Sequence, residues 1–537
     1  MNKECNWYKD AVVYQIYPKS FCDSNGDGIG DIPGIISKLD YLKDLGVNTV
    51  WISPCYPSPN ADYGYDIADY RDIAPEYGTL DDFKHMLDEM HKRGIRLLLD
   101  LVVNHTSDEH KWFIESKKGR DNPYRDYYIW KDPVDGTYPN EWGSGFDESA
   151  WEWDEKSGQY YLHLFTKKQP DLNWENLAVR KEIEEMINYW LDMGVDGFRC
   201  DVINLISKDF SAKIPDNGPH LHEYLNGLFK NCFEPHNALT VGEVWGLTPD
   251  ESLELTAPER GELTLAFQFE HLSVGREDGK RFFPSQFDPV KFTDILAKWQ
   301  YGLNGRGWNA LCMENHDQPR CINRFGSPEK FRRESATMLA TLLYGMQGTV
   351  FLYEGQECGF INPVFNSYDE CLDVETTDAY PYMMKTFGEE EMLRRYSFDS
   401  RDCGRIPMSW NGTENAGFTT GKSWIKLNDF RTEVNVEDEL KAENSVYNYY
   451  RDLLRLRREY DSLSKGDFAL IKNDPEAVIY ERTYEGKKIA VICRFADTEA
   501  ELDLPYDKAE VLLSNYGAEY SKHTKLRPYE AMLIFVL

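Results

Sequence analysis

Apolar residues recur along the first 200 positions in one order: a stretch at helical spacing, a glycine, then a short run that is apolar throughout. Between Pro33 and Leu45, Ile36, Leu39, Leu42 and Leu45 lie at near-helical intervals; Gly46 follows, and VNTVWISP (47–54) reads as a strand. Thr79 and Asp82 make a capping-box pattern ahead of Phe83, Met86, Leu87 and Met90, Gly94 closes that helix, and IRLLLDLVV (95–103) follows. A third copy carries Ile183, Ile187, Trp190 and Leu191, then Gly194, then VDGFRCDV (195–202). Such alternation predicts parallel strands, and near-continuous apolar strands predict burial on both faces. AVVYQIYP (11–18), ALTVGE (238–243), LAFQFE (265–270), NALCMEN (309–315) and TVFLYEG (349–355) bring the strands to eight. Eight such units predict an α/β fold, a (β/α)8 TIM barrel, with an open doubly wound sheet as the alternative.

Two stretches break the pattern. Residues 105–174 are rich in Trp, Tyr, Gly, Asp and Pro without helical period. A connection that long predicts an inserted subdomain after the third strand, over one barrel face. After a helix near 445–460, runs such as AVIYERTY, KKIAVICRF and YEAMLIFVL predict a C-terminal antiparallel β domain, a sandwich. The expected division is barrel 1–104, subdomain 105–174, barrel 175–463 and β domain 464–537.

Composition narrows the partners. The net charge of −32 repels phosphate backbones and anionic lipid, so neither nucleic acid nor a membrane surface is an expected partner. A neutral ligand is not repelled, and 14% aromatic residues suit stacking on sugars as well as core packing. The 11 cysteines are odd in number, scattered and never C-x-x-C, which predicts reduced thiols rather than a disulfide frame or zinc site. The start, MNKECNWYKDAVVYQ, shows no signal-peptide pattern, and no run has the length of a bilayer span. A cytoplasmic protein is expected, monomeric or weakly homo-oligomeric.

Several apolar strands end in charge: Asn104 and His105, Arg199 and Asp201, Glu243, and His316 with Asp317. In a barrel these positions converge on the C-terminal face, where active sites lie. Each alone reads as an ordinary strand-end polar group; several buried at one rim imply a shared use. Arg199 and Asp201, two apart on a strand, point the same way, and the guanidinium is expected to keep Asp201 ionised as a nucleophile. Glu243, in LTVGEVW beside Trp245, is expected to be desolvated towards what a general acid needs. That is a glycosidase-like pair of carboxylates, whose stereochemistry depends on a separation that spacing does not give.

The motifs DLVVNHTS (100–107), GFRCDVIN (197–204), VGEVWG (241–246) and ENHDQPR (314–320), with QPDLN (169–173) in the insertion, resemble the ordered set of the α-amylase superfamily of glycoside hydrolases. The resemblance runs essentially end to end. It implies a retaining enzyme with Asp201 as nucleophile, Glu243 as acid/base and Asp317 as the third carboxylate gripping sugar hydroxyls. It also implies that His105, Arg199 and His316 hydrogen-bond the bound glucose, that Tyr65 stacks beneath it, and that Asp62 and Arg405 pair to close the pocket, so that attack is from the non-reducing end. Val202 after the nucleophile resembles the α-1,6 enzymes, where Thr resembles the α-1,4 ones. QPDLN and Trp245 resemble the oligo-1,6-glucosidase and glucan 1,6-α-glucosidase (dextran glucosidase) branch, which implies a neutral oligosaccharide substrate. FDESAW (146–151) and Glu354 in YEGQE (353–357) depart from the usual pattern.

The loop DSNGDGIGD (23–31) places Asp23, Asn25, Asp27, the Ile29 carbonyl and Asp31 at the spacing of a calcium loop; Gly34 at the twelfth place rejects an EF-hand. A metal-free Gly/Asp turn is the plain reading. By resemblance to oligo-1,6-glucosidases and dextran glucosidases, a structural Ca²⁺ is expected, with Mg²⁺ as the other candidate, and no organic cofactor. Rival activities are trehalose-6-phosphate hydrolysis, α-1,4-glucoside hydrolysis and sucrose isomerisation or transglucosylation. A non-catalytic amylase-like transporter heavy chain is disfavoured by the full set of three carboxylates.

Overall fold

In the computed structural model of the protein, which describes residues 6–517 and 519–537, eight parallel strands close into a barrel. They are β1 (Val12–Ile16), β2 (Thr49–Ile52), β3 (Arg96–Val102), β4 (Gly197–Asp201), β5 (Leu239–Glu243), β6 (Leu265–Phe267), β7 (Ala310–Cys312) and β8 (Thr349–Tyr353). Each strand pairs with its sequence neighbour, and β8 closes the ring on β1 with Val12 opposite Val350. Each of the eight apolar runs holds one strand. The first five residues of the N-terminal stretch read for a signal peptide, Cys5 among them, lie outside the described residues.

The glycine-terminated helices form as expected, with one exception. Leu80–Lys92 begins at Thr79, whose hydroxyl accepts from the Asp82 N–H while the Asp82 carboxylate accepts from the Thr79 N–H, and it buries Phe83, Met86, Leu87 and Met90. Leu177–Met193 ends at Gly194, whose φ of 112° only glycine adopts readily. The expected single helix over Pro33–Leu45 is instead two, Ile32–Ile36 and Leu39–Leu45. Ser37 donates its hydroxyl to the Gly34 carbonyl at 2.6 Å, a local bond that competes with helix continuation. Gly34 is needed where the chain crosses Cys22, whose carbonyl oxygen would lie 2.0 Å from an added Cβ.

Between β3 and helix Leu177–Met193, three antiparallel strands, Trp130–Lys131, Trp151–Asp154 and Gln159–Leu162, form a small sheet, and a short helix, Lys111–Ser116, precedes them. At the C-terminus five strands form an antiparallel sheet, with a two-stranded ribbon of Ala500–Asp503 and His523–Leu526 beside it. One face of the five-stranded sheet packs on barrel helix Arg332–Tyr344, where Tyr480 donates to the Leu342 carbonyl; Ile479, Ile492 and Ile534 on the other face meet Leu504 and Leu526. Two helices that periodicity had not marked, Val374–Phe387 and Glu389–Asp399, follow β8. They share a satellite core of Phe282, Phe365, Met383, Met392 and Tyr396. The ten described cysteines are all buried and unpaired. Among the described residues, no helix is long and apolar enough to cross a membrane.

The cap of helix Leu80–Lys92 gives the first prediction. Thr79→Ala should lower unfolding stability by about 1 kcal/mol, the usual worth of an N-cap hydroxyl, read as a lower urea midpoint with an unchanged denaturant slope.

Candidate active site

The C-terminal ends of β3, β4 and β5 bring Asp100, Arg199, Asp201 and Glu243 together through a single guanidinium. Arg199 donates from Nη1 to Asp100 Oδ1 at 2.8 Å and to Asp201 Oδ1 at 2.6 Å, and from Nη2 to Glu243 Oε2. The strand register explains the convergence: Arg199 is level with Asp100 on β3 and with Val241 on β5. Glu243 also accepts from the Val202 N–H at 3.3 Å and the Trp245 indole N–H at 3.1 Å. Asp100, not singled out in the sequence, is the floor of the site: it accepts from Trp51 at 3.1 Å and the Tyr65 hydroxyl at 2.9 Å. The signal for it was present, an aspartate inside the apolar run IRLLLDLVV.

This sharing revises the electrostatic expectation. Burial pushes Asp201 well above the usual carboxylate range, with Arg199 opposing it and Glu243 reinforcing it. Burial likewise lifts Asp100 to about 6 against the pull of Arg199. Arg199 therefore does not serve Asp201 alone; its charge is divided among three carboxylates. Trp245 is a hydrogen-bond donor to Glu243 rather than an apolar cover, and its ring, 47% exposed and 4.5 Å from Phe269, faces outward.

Asp62, Tyr65, His105, Asp201, Val202, Glu243, Trp245 and Asp317 line a cavity of about 200 Å³. Arg199, His316 and Arg405 stand one layer behind it. The His316 ring stacks under Tyr65 (centroids 5.2 Å, interplanar 4°). Gln15 meets its Nδ1 at 2.7 Å, and burial pushes the imidazole down to about 3. Burial pushes His105 down to about 4, and its Nε2 contacts the Tyr65 carbonyl at 3.1 Å. Both imidazoles are neutral at pH 7. Burial works against ionising Asp317, yet Arg401 and Arg405 hold its carboxyl below the usual range; neutral His316 leaves that task to the arginines.

The expected Asp62–Arg405 pair is replaced by a network. Asp62 bonds Arg401 at 3.1 Å and Gln169 at 3.2 Å. Arg405 instead bonds Asp317 at 3.1 Å, Asp373 at 3.3 Å and the His316 carbonyl at 3.0 Å. Arg401 and Arg405 share Asp317 and Asp373, so the wall is a lattice of two arginines and three aspartates rather than one pair. Beside this lattice Arg281 bonds Glu375 at 3.1 Å and donates to the Asp317 carbonyl, Glu375 lies 3.8 Å from Arg401, and Arg281 Nη1 is buried without a partner. Sequence reasoning missed Arg281, Glu375 and Arg401. The first two come from connections without periodic signal; the third had only its nearness to Arg405. Of the two sequence departures, Asp147 and Glu148 face solvent while Phe146 lines the cavity. Glu354 is buried and accepts from the Tyr17 N–H at 2.8 Å.

Val202 adopts a left-handed conformation, φ 35° and ψ 44°. For a β-branched residue this is strained by about 1–3 kcal/mol, and the turn it makes points its N–H at Glu243.

The loop 23–31 is a chain of side-chain-capped turns. Asp23 accepts from the N–H groups of Asn25, Gly26 and Gly28 and from the Thr419 hydroxyl. Asn25 and Asp27 each accept from the N–H two residues on. Asp31 is committed elsewhere: Oδ1 caps helix Ile32–Ile36 through Gly34 N–H at 2.6 Å, and Oδ2 takes both donors of Ser24. The all-oxygen donor set of Asp23, Asn25, Asp27 and the Ile29 carbonyl suits a hard divalent cation. Asp31 is not oriented to join it, and among the described residues no three His, Cys, Asp or Glu side chains are grouped to hold a metal.

With its pair of carboxylates, the site can perform nucleophilic displacement at an acetal carbon. Asp201→Asn and Glu243→Gln should each abolish nearly all hydrolysis of natural glycosides while folding normally. For Glu243→Gln, an aryl glucoside with a good leaving group should lose less in its first step than a disaccharide. Substantial turnover by folded Asp201→Asn would remove Asp201 as nucleophile.

Residues 15–466 match the family model for the alpha-amylase catalytic domain. The chain is 50% identical to an oligo-1,6-glucosidase of Parageobacillus thermoglucosidasius, with 98% of each chain covered. It is 42% identical to a glucan 1,6-alpha-glucosidase of Streptococcus pneumoniae, with 99% of each covered. The crystal structure of a trehalose-6-phosphate hydrolase of Bacillus licheniformis superposes with a TM-score of 0.94 at 44% identity, covering 99% of each chain.

Proposed function

The chain belongs to the α-amylase family of glycoside hydrolases, and on that premise we propose that it is a retaining, exo-acting α-glucosidase releasing glucose from the non-reducing end of isomaltose and short isomalto-oligosaccharides. The observation that carries this reading is the charge balance of the cavity: both arginines at its wall are neutralised, Arg281 by Glu375 and Arg401 by Asp62, Asp317 and Asp373. A neutral sugar suits such a wall, and a phosphate, which needs uncompensated positive charge, does not. The relatives named oligo-1,6-glucosidase and glucan 1,6-alpha-glucosidase, similar over nearly the whole chain, support the linkage. The Asp/Arg lattice beyond Asp62 supports attack at a chain end, since it blocks the cavity where a longer glycone would continue.

In the first step Asp201 attacks C1 of the glucosyl unit, forming a C1–O ester as the C1–glycosidic oxygen bond breaks. Glu243 delivers its proton to the leaving oxygen. In the second step Glu243 takes a proton from water, whose oxygen attacks C1 and displaces Asp201, so the product keeps the α configuration. Asp317, held ionised by Arg401 and Arg405, faces the sugar that flattens at the transition state. The exposed Trp245 ring supplies a stacking face for the leaving sugar.

The second reading, trehalose-6-phosphate hydrolysis, is favoured by relatives so named at 44–45% identity and opposed by the paired arginines. Glucose release from isomaltose, panose, isomaltotriose, maltose and trehalose-6-phosphate at equal concentration separates the two. We expect isomaltose and isomaltotriose to lead; a preference for maltose would end the α-1,6 reading, and a preference for trehalose-6-phosphate would replace it. Val202→Thr should shift the maltose-to-isomaltose ratio upward, by an amount within the 1–3 kcal/mol or so that one group at a subsite wall contributes. Thr is β-branched as well, so the backbone strain is unchanged and the hydroxyl is the only new element.

The loop 23–31 is proposed to hold a structural Ca²⁺, or Mg²⁺, through Asp23, Asn25, Asp27 and the Ile29 carbonyl, with Asp31 serving the adjoining helix instead. Such an ion would stabilise the loop and take no part in the reaction. Chelation should lower the melting temperature by mass action without changing kcat. An unchanged melting temperature with no bound metal by elemental analysis would return the loop to an ordinary turn. Action in the cytoplasm, as a monomer or weak homo-oligomer, completes the proposal; the unpaired, buried cysteines support it.

A further inference from the structure

A second cleft, of about 230 Å³, lies behind the catalytic cavity and is comparable to it in size. The two share a wall. Lys208, which lines the second cleft, bonds Asn104 at 2.9 Å and Asp171 at 2.9 Å, and Asn104 reaches His105 at 3.2 Å on the catalytic side. A ligand in this cleft is therefore separated from Asp201 and Glu243 by buried, mutually bonded polar side chains.

The lining combines flat apolar rings with groups that bond hydroxyls. Trp130, Phe210 and Tyr224 stand with Lys131, Asn173 and Glu175. Phe210 is half-buried and held from behind, its ring stacked on Trp142 (centroids 5.0 Å, interplanar 30°), while the Lys131 ammonium lies 4.5 Å over it. From Lys131 the surface runs onto one face of the three-stranded sheet. Lys131, Tyr160 and Trp153 are directly opposed across its strands, so their side chains share a face. Trp153 is 41% exposed with its ring 4.9 Å from Tyr160, and Tyr138, 47% exposed, packs on Tyr160 at 5.4 Å. Trp153 and Tyr138, open to solvent beside half-buried Tyr160, are continuous with a polar and aromatic cleft and line no part of the catalytic cavity.

We propose that this cleft and strip form a second saccharide-binding site, which takes a neutral α-1,6-linked glucan chain and holds it away from the catalytic cavity. The C–H faces of successive sugars stack on Trp153 and Tyr138, while Lys131, Asn173 and Glu175 bond hydroxyls in the cleft. A neutral chain is not repelled by a protein of net charge −32, whereas an acidic polymer would be. The choice of linkage rests on the activity proposed above.

The test is electrophoretic mobility in native gels containing dextran, run on Asp201→Asn protein so that the polymer is not degraded, with hydroxyethylcellulose gels as the comparison. Dextran should retard the protein and hydroxyethylcellulose should not. Adding Trp153→Ala or Tyr138→Ala should weaken retention about three- to tenfold, the range for loss of one aromatic stacking contact. Both side chains are exposed, so neither substitution removes core packing. No retardation by dextran, equal retardation by the β-glucan, or retention unchanged in folded Trp153→Ala would overturn the proposal. In the active enzyme Trp153→Ala should leave kcat/KM for isomaltose unchanged; a loss there as large as the loss of dextran retention would also overturn it. Failure of the unmodified enzyme to cleave isomaltose would instead count against the activity reading, whatever the gels show.

Discussion

The structure depends on how one buried guanidinium is shared. Arg199 is 1% exposed and bonds Asp100, Asp201 and Glu243 from three adjacent strands. Three carboxylates in an apolar barrel would repel one another and lose hydration, and a single cation with directed donors is what makes their burial tolerable. The same bonds fix the geometry, because a planar fork holds each carboxylate where the strand register presents it. Asp201 and Glu243 are thus positioned by the group that limits their total charge.

Around that centre, each further layer of the site is held by the one outside it. Tyr65 bonds Asp100 and rests on His316, and Gln15 contacts His316 from β1. Asp317 takes its charge environment from Arg401 and Arg405, which Asp373 ties to the start of helix Val374–Phe387. Arg276 clasps Asp399 at the end of helix Glu389–Asp399 and reaches Gln318 beside Asp317. The cavity is therefore a joint product of barrel strand ends, which supply the reacting groups, and later connections, which supply the wall and its charge balance.

That division matters for the choice between rival activities. Asp201, Glu243 and Asp317 suit each of the rival glycosidase activities, so they do not discriminate. Discrimination lies in pairings such as Arg281 with Glu375, where the presence of a carboxylate decides whether an arginine is available to a phosphate or only to a hydroxyl.

The sequence by itself determined the barrel and which charged residues stand at its strand ends. Eight apolar runs, each long enough for one buried strand, allow few other arrangements, and strand-end charges can be read because a polar residue at the end of an apolar run stands out against its neighbours. The capping box at Thr79 and the glycine stop at Gly194 were equally legible, being local in the chain. Tertiary structure alone decided which charge meets which. Arg199 was expected to serve Asp201 and is shared three ways, and Asp62 was expected to pair with Arg405 and meets Arg401. Helix Val374–Phe387, with Glu375 near its start, carries no strong period and was invisible. Hydrophobic pattern and capping are set by residues a few positions apart, whereas Asp62 and Arg401 are separated by 339 positions, and Arg199 lies 99 from Asp100 and 44 from Glu243, pairings that no spacing along the chain encodes.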